Sequence, residues 1–194
     1  MNNYLEDEID VYNETFKKED LTNKDINNKT INNCEFTDCN LTGSEFNTVF
    51  LEEITFTKCD LSNIKFNECS FKKVTIENCK LTGTSFNNCR LTNLTIKDSQ
   101  GKYLNIIDTK IKESCIIDTK LMEGNFYNVE IKKLELNKVD FTLTEFYKTP
   151  LRDIDFSSSI IDGIKITPDC LKGMKVNTLQ ALDLVKVLEI DIVE

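Results

Sequence analysis

The sequence predicts an all-β solenoid, a column of short stacked turns, and two observations carry that prediction. The first is a period of five. Every fifth residue from Phe16 to Ile166 is Leu, Ile or Phe, with Gly101 the one exception, and no insertion or deletion breaks the register. A strand repeats every two residues and a helix every 3.6 or so, so neither accounts for it. Units this short bury one apolar residue each only by stacking on their neighbours. The second observation lies two residues before each of these positions. Cys34, Cys39, Cys59, Cys69, Cys79 and Cys89 stand there, as do Ser44, Thr84, Thr109, Thr119, Thr144 and Thr149, and Val or Ile at 49, 54, 64, 74, 129, 139 and 154. A compact residue followed two places later by a large apolar one means that both point inward. The remaining positions of each five are mostly polar.

Cys39-Asn40-Leu41-Thr42-Gly43 and Cys59-Asp60-Leu61-Ser62-Asn63 show the unit in full. It resembles the pentapeptide-repeat family, whose unit reads Ala or Cys, Asp or Asn, Leu or Phe, then two free residues. The resemblance implies a right-handed quadrilateral β-helix, one pentapeptide per side and four per coil, closed here by a short C-terminal helix. A 20-residue coil should leave columns in the sequence, and it does. Phe occupies 46, 66, 86, 126 and 146, Leu occupies 21, 41, 61, 81 and 121, and Asn occupies 27, 47, 67 and 87. At roughly 4.8 Å per rung the rod is on the order of 37 Å long.

Taken in order, residues 1–15 are expected to cap the first coil, with Tyr4, Leu5, Ile9 and Val11 over its open end, since a bare end is an unpaired sheet edge. Residues 16–168 form the rod. Its first coil carries Glu14, Glu19, Lys24 and Lys29 at the inward compact position, where charge is costly, so this coil is expected to be frayed. Gly101 removes a core side chain, Leu104 is placed to fill the gap, and a kink or bulge is expected there. Pro150 has no N–H for the ladder and marks a second irregularity. Residues 169–194 follow as a separate C-terminal module. Asn177 or Thr178 caps a helix, Leu179, Leu182, Val185 and Leu188 lie at helical spacing, and Ile190 to Ile192 alternates like a strand.

Composition excludes several classes of function. The chain has no His, and so no His general base or His metal ligand. It has no glycine-rich phosphate loop and no Gly-x-Ser-x-Gly element. No enzyme activity, metal or cofactor is expected. The six inward cysteines read as small buried thiols, and Cys115, at an outward position, reads as the most reactive one. Asp60 and Asp140 stand where repeat members bond backbone at a turn, and the Asn column reads as an amide ladder. No apolar run approaches the ~20 residues that cross a bilayer, and residues 1–8 are acidic where a signal peptide is basic and then apolar, so a cytoplasmic protein is expected.

The tail, with Leu171, Gly173, Gln180-Ala181 and Ile190, is similar to the ending of the Qnr-like fluoroquinolone-resistance branch of that family. The resemblance implies a homodimer joined tip to tip through the C-terminus, with Leu182, Leu184, Val185, Val187, Leu188, Ile190 and Ile192 in the interface. Of these, Leu184, Val187 and the segment from Ile190 to Ile192 are assigned to the second copy. It further implies binding to DNA gyrase or topoisomerase IV, fluoroquinolone resistance, and a DNA-like anionic surface, with no direct contact to nucleic acid or membrane. Many Qnr proteins carry two projecting loops, and the unbroken register here leaves no room for them. A scaffold for an unrelated protein partner is the alternative.

Charge refines the anionic reading. The net charge is −9, of which −5 falls in residues 1–20. The side centred on 36, 56, 76 and 96 carries Glu35, Asp38, Glu77, Asp98, Asp118, Glu135 and Asp155 against Lys58, Lys97 and Lys138, and is the candidate phosphate-like track. The side centred on 31, 51, 71 and 91 is basic, with Lys72, Lys73, Arg90, Lys110, Lys112, Lys132, Lys133 and Arg152.

Overall fold

A computed structural model describes residues 10–188 and 190. The chain winds as a right-handed parallel β-helix of about eight coils, followed by two short helices. The strand pairs are all parallel, at a constant offset of 20 residues. One column runs Ile26, Phe46, Phe66, Phe86, Ile106, Phe126, Phe146, Ile166 without a slip. Most strands are three residues long. Two sides fuse into one strand at Ser70–Glu77, Arg90–Lys97, Lys110–Ile117 and Glu130–Asn137.

The period of five is set at the corners. A positive φ recurs at every fifth residue from Asn13 to Asp153. A residue in the left-handed region ends each side and turns the chain onto the next. Asn, Asp and Gly tolerate that region best, and they hold about half of these places. Thr48, Tyr103 and Leu143 hold it at φ of 56°, 62° and 59°, which their side chains disfavour. On another side the corner is fixed by Asp20, Asn40, Asp60 and Asp140, whose Oδ1 atoms accept from the N–H two residues later, for Ser62 at 3.0 Å and for Thr142 at 2.9 Å.

Inside, the large residues stack face to face. Ring centroids lie 4.6 Å apart for Phe16–Phe36, 4.9 Å for Phe36–Phe56 and 5.1 Å for Phe66–Phe86. The compact inward positions hydrogen-bond as well as pack. Thr84 Oγ1 donates to the Leu61 carbonyl at 2.7 Å, Ser44 Oγ to that of Leu21 at 2.7 Å, and Cys59 Sγ to that of Phe36 at 3.4 Å. In turn the Cys59 N–H donates to Cys79 Sγ one coil above. Cys, Ser and Thr therefore interchange because each is small and each serves buried backbone.

Two expectations of irregularity are corrected. The first coil is not frayed. Val11 pairs with Ile31, Phe16 with Phe36 and Ile26 with Phe46. Glu14 and Glu19 turn out to solvent while the ladder holds. The part of the cap formed by residues 1–9 lies outside the described residues. At Gly101 there is neither kink nor bulge. Leu104 is fully buried beside it, and a Cβ on Gly101 would stand 2.9 Å from Leu121 and 3.3 Å from Leu104. The neighbours fill the space, and the bridges Lys80↔Gln100↔Lys120 run straight through.

Pro150 does interrupt the rod. The ten-stranded sheet ends at Glu130–Asn137. Past Ile166, helix α1 (Pro168–Leu171) shifts the register by one residue, so that Cys170 takes the inward slot and its Sγ accepts from the Thr149 N–H at 3.3 Å. Helix α2 (Thr178–Val185) then crosses the tip. Asn177 is its cap, and Thr178 is its first residue. Asn177 Oδ1 accepts from the Gln180 N–H at 3.0 Å and Gln180 Oε1 accepts from the Asn177 N–H at 2.9 Å, a reciprocal capping box. Ile190 lies in no regular element, and the rest of the expected terminal strand, Ile192 included, lies outside the described residues.

Candidate partner-binding surfaces

The tip is built around Gln180, which is buried. Its Nε2 donates to the carbonyl oxygens of Phe156 at 3.0 Å and Ser159 at 2.7 Å, groups that a next coil would otherwise pair. One side chain thus closes the open backbone of the last coil and fixes the start of α2. Leu184 and Val187 pack half buried on the rod's core. The docking of α2 turns them toward their own coil and leaves part of each exposed. Val185 is half buried, and Leu182, Leu188 and Ile190 are exposed. Leu179, 75 % exposed, joins them. It belonged to the helical stripe in the sequence, but its outward direction depends on how Gln180 seats the helix.

The candidate anionic track is partly neutralised by its own lysines. Lys97 Nζ lies 2.8 Å from Glu77 and 3.8 Å from Asp98, and Lys138 Nζ lies 4.0 Å from Asp118. The hydrogen bond to Glu77, then the charges of Glu77, Asp98 and Asp118, hold the Lys97 ammonium above its ordinary pKa. Glu135 is 3.5 Å from Lys133. Asp155 Oδ1 accepts from the Ser157 N–H at 2.8 Å, and bonds from the Ser157 hydroxyl and N–H hold its carboxyl below the usual range. Glu35 and Asp38 stand nearer the other end of the rod.

The basic side is laced in the same way. Lys72 pairs with Glu52 at 2.5 Å, Lys73 with Glu53 at 2.6 Å and Lys110 with Glu130 at 2.8 Å, each across one rung. These are exposed pairs, worth little each, that set the surface potential more than stability. The Asn column is an amide ladder, with Nδ2 donating to Oδ1 at 2.8 Å from Asn47 to Asn27, 2.8 Å from Asn67 to Asn47 and 2.9 Å from Asn87 to Asn67. Farther along the same column the residues become Tyr127 and Tyr147, stacked at 5.5 Å.

The cysteines are free. Burial pushes the Cys34 thiol up, and the hydrogen bond with Cys59, then burial, raises Cys39. Such thiols are poor nucleophiles. Cys115 is half buried, and its Sγ lies 3.3 Å from Thr95 Oγ1. Among the described residues no His, Cys, Asp and Glu group could hold a metal ion, and no helix is long and apolar enough to cross a membrane.

The parallel ladder of pentapeptides with left-handed corners defines a class. Residues 29–106 match the family model described as a pentapeptide repeat region, and the fold that contains them is the pentapeptide-repeat β-helix. The chain thus contains a pentapeptide repeat region within a fold of that kind. Among solved structures it is similar to a trypsin-treated form of QnrB1, a plasmid-mediated fluoroquinolone resistance protein, at 18% identity and a TM-score of 0.50, over 95% of this chain and 100% of that one. A second trypsin-treated QnrB1 gives 20% identity and a TM-score of 0.46, over 95% and 98%. HetL, a pentapeptide repeat protein involved in heterocyst differentiation regulation from the cyanobacterium Nostoc, gives 12% and 0.26, over 88% and 89%. At these identities the likeness is one of fold. No curated protein matches the chain.

Proposed function

We propose that the protein binds a type II topoisomerase, DNA gyrase or topoisomerase IV, in the bacterial cytoplasm, as a homodimer joined through residues 171–194, and protects the enzyme from fluoroquinolones. The observation that carries this reading is the tip. Gln180 seals the last coil and leaves Leu179, Leu182, Leu188 and Ile190 outward, in the Gln-Ala ending that resembles the Qnr-like branch. An apolar patch of this kind marks an interface. The acidic side stands in for a phosphate track, carried most by Glu35, Asp38 and Asp155, since Lys97, Lys133 and Lys138 offset its other acids. Fluoroquinolone inhibitory concentrations in a susceptible bacterium expressing the protein, together with supercoiling by purified gyrase with and without drug, test the reading. Protection in both supports it. No change in either overturns it.

A second reading is favoured by the uniform corners, which repeat every five residues from Asn13 to Asp153 with no projecting loop between them. On that reading the rod is a non-enzymatic scaffold for an unrelated protein. Recovery of a partner other than a topoisomerase by the intact dimer, with gyrase unaffected, would select it.

A further inference from the structure

The ladder is broken along two adjacent sides, between Glu130–Asn137 and residues 150–157. In the lower coils the corner amides donate upward. Glu53 N–H reaches the Lys72 carbonyl at 2.9 Å, Asp98 that of Ile117 at 3.1 Å and Asp118 that of Asn137 at 2.9 Å. The next members of these two columns, Lys133 and Lys138, make no such bond to Arg152 or Ser157. In the opposite direction Lys110 N–H donates to the Cys89 carbonyl and Glu130 N–H to that of Thr109, both at 3.0 Å, and the next residue in line is Pro150, which has no N–H to give to Val129. Surface cavities of about 510 and 550 Å3 lie in the gap, one between Ile131 and Pro150, the other between Leu136 and Ile154. Ile131 and Leu136 are only half buried there, although Ile111 and Ile116 one coil below are buried.

The other two sides of the same junction are closed. Leu121 N–H donates to the Asp140 carbonyl at 2.7 Å, Glu123 to that of Thr142 at 2.8 Å, Glu145 to that of Gly124 at 2.9 Å and Asn128 to that of Tyr147 at 2.9 Å. Phe126 pairs with Phe146, and their rings stack at 5.0 Å. Four corners recur in each coil, five residues apart, so the closed corner through Glu123 and Leu143 lies diagonally across from the open corner at Lys133. Above the gap, residues 150–157 are tied upward. Leu151 N–H donates to Cys170, Asp153 to Gly173 and Phe156 to Lys175, at 3.0, 2.9 and 2.8 Å. They are therefore coupled to the tip and not to Glu130–Asn137.

Bending a β-helix at an ordinary junction pulls ladder hydrogen bonds apart on the side that opens. Here the two sides that would separate hold no ladder bonds, so the wedge opens and closes without breaking one. We infer that the rod is hinged at this junction: residues 10–137 and residues 139–188 are two bodies that rock about the closed corner through Glu123 and Leu143. At the closed limit the register of the lower coils continues, with Lys133 N–H on the Arg152 carbonyl and Lys138 N–H on that of Ser157. The hinge divides the surfaces of the molecule. Glu35, Asp38, Glu77, Asp98, Asp118 and Glu135 of the acidic side belong to the first body, and Asp155 and the tip with Gln180 and Leu182 belong to the second. The bend therefore sets the angle between the acidic side and the tip, whatever either surface binds. This inference rests on neither the topoisomerase reading nor the dimer.

Two NMR measurements on the intact protein test the hinge. In amide hydrogen exchange, Lys133 and Lys138 exchange about tenfold faster than Asp98 and Asp118, because their N–H groups have no ladder partner. In a weakly aligning medium, residual dipolar couplings from residues 20–128 and from residues 140–166 require two different alignment tensors, since bodies that rock average differently. A covalent lock supplies the control. Lys132→Cys combined with Arg152→Cys places two thiols one rung apart across the gap, within disulfide reach once the wedge closes. Oxidation with glutathione disulfide slows Lys133 and Lys138 about tenfold and brings all couplings onto one tensor, and reduction restores two. Four results overturn the inference: Lys133 and Lys138 amides as protected as that of Asp118 in the parent, parent couplings that fit a single tensor, a disulfide that fails to form and so marks a fixed wedge, or two tensors that persist in the locked protein.

Discussion

Gln180 donates its side-chain amide to the backbone carbonyl of Phe156, 24 residues earlier, at 3.0 Å, and the same nitrogen reaches Ser159 at 2.7 Å. A β-helix ends in unmet carbonyls and N–H groups; here one side chain supplies a donor to the Ser159 carbonyl and a second donor to the Phe156 carbonyl, which also accepts from the Ser159 N–H at 2.8 Å. Gln180→Leu keeps the volume and removes the donors and the Oε1 acceptor. It should cost roughly 2–4 kcal/mol, because the Ser159 carbonyl loses this donor, the Phe156 carbonyl loses one of two, and the capping box with Asn177 is broken. Urea denaturation checks this, and a midpoint unchanged from the parent would show that water satisfies these carbonyls.

Phe66 lies between Phe46 and Phe86, with centroids 5.1 Å away on both sides, and touches Phe71 edge-on at 5.0 Å. Phe66→Ala should destabilise by roughly 3–5 kcal/mol, since both stacked neighbours are held by their own ladders and cannot collapse into the cavity. Phe50 sits at an outward position, half buried, so Phe50→Ala should cost clearly less. Equal losses in the same melts would contradict the inward and outward assignment.

Much of this was legible beforehand, for a physical reason. The register, the stacked Phe column and the Asn ladder follow from strictly local repetition, in which residue 20 places on is always the neighbour. What was not legible depends on how the last coils tilt and dock. Gln180 was visible as a resemblance to known endings, but its partners lie outside the repeat. Leu184 and Val187 fit an apolar stripe whichever way α2 rolls, and only its seating turns them inward. Pro150 announced one lost bond. The loss of pairing along two sides arises because residues 150–157 bond upward to the segment 170–175 instead.

Thr48 occupies a corner at φ of 56°, where its branched Cβ is crowded against the backbone. Asn28, Asn88 and Asn128 hold the same corner in other coils. Thr48→Asn should therefore stabilise the protein by about 1 kcal/mol. Thermal melts at a fixed scan rate read this directly, and a lower midpoint would mean that the Thr48 side chain makes a compensating contact.

Acid should weaken the rod by a predictable route. Glu53 is held below its ordinary pKa by the hydrogen bond from Lys73, Glu123 by that from Lys102, and Asp155 by the Ser157 hydroxyl and N–H. A carboxyl whose folded pKa is depressed contributes stability above its unfolded pKa, and loses it as pH falls through the folded one. Melting temperature should hold level from pH 7 to about 5 and decline below about 4. Salt should blunt the Glu53 and Glu123 share by screening their exposed lysine pairs. A melting temperature that rises between pH 5 and 3 would contradict these assignments.

The last prediction concerns assembly. With Gln180 closing the last coil, the tip can no longer add a further coil, so end-to-end growth is blocked. What remains outward is the apolar set Leu179, Leu182, Leu188 and Ile190. A patch that meets its own copy about a two-fold axis closes at two, giving a particle on the order of 75 Å long at ~4.8 Å per rung. Two substitutions separate the interface from the fold. Leu182→Asp places a charge on the outward face and should yield a folded monomer with an unchanged unfolding midpoint once dimer dissociation is allowed for. Leu184→Asp buries its charge against the rod's own core, so it should lower the midpoint as well as perturb the dimer. Sedimentation at micromolar concentration, read beside the melts, distinguishes them. A wild-type monomer at that concentration would end the dimer reading, and a Leu182→Asp protein that still sediments as a dimer would move the interface elsewhere on the rod.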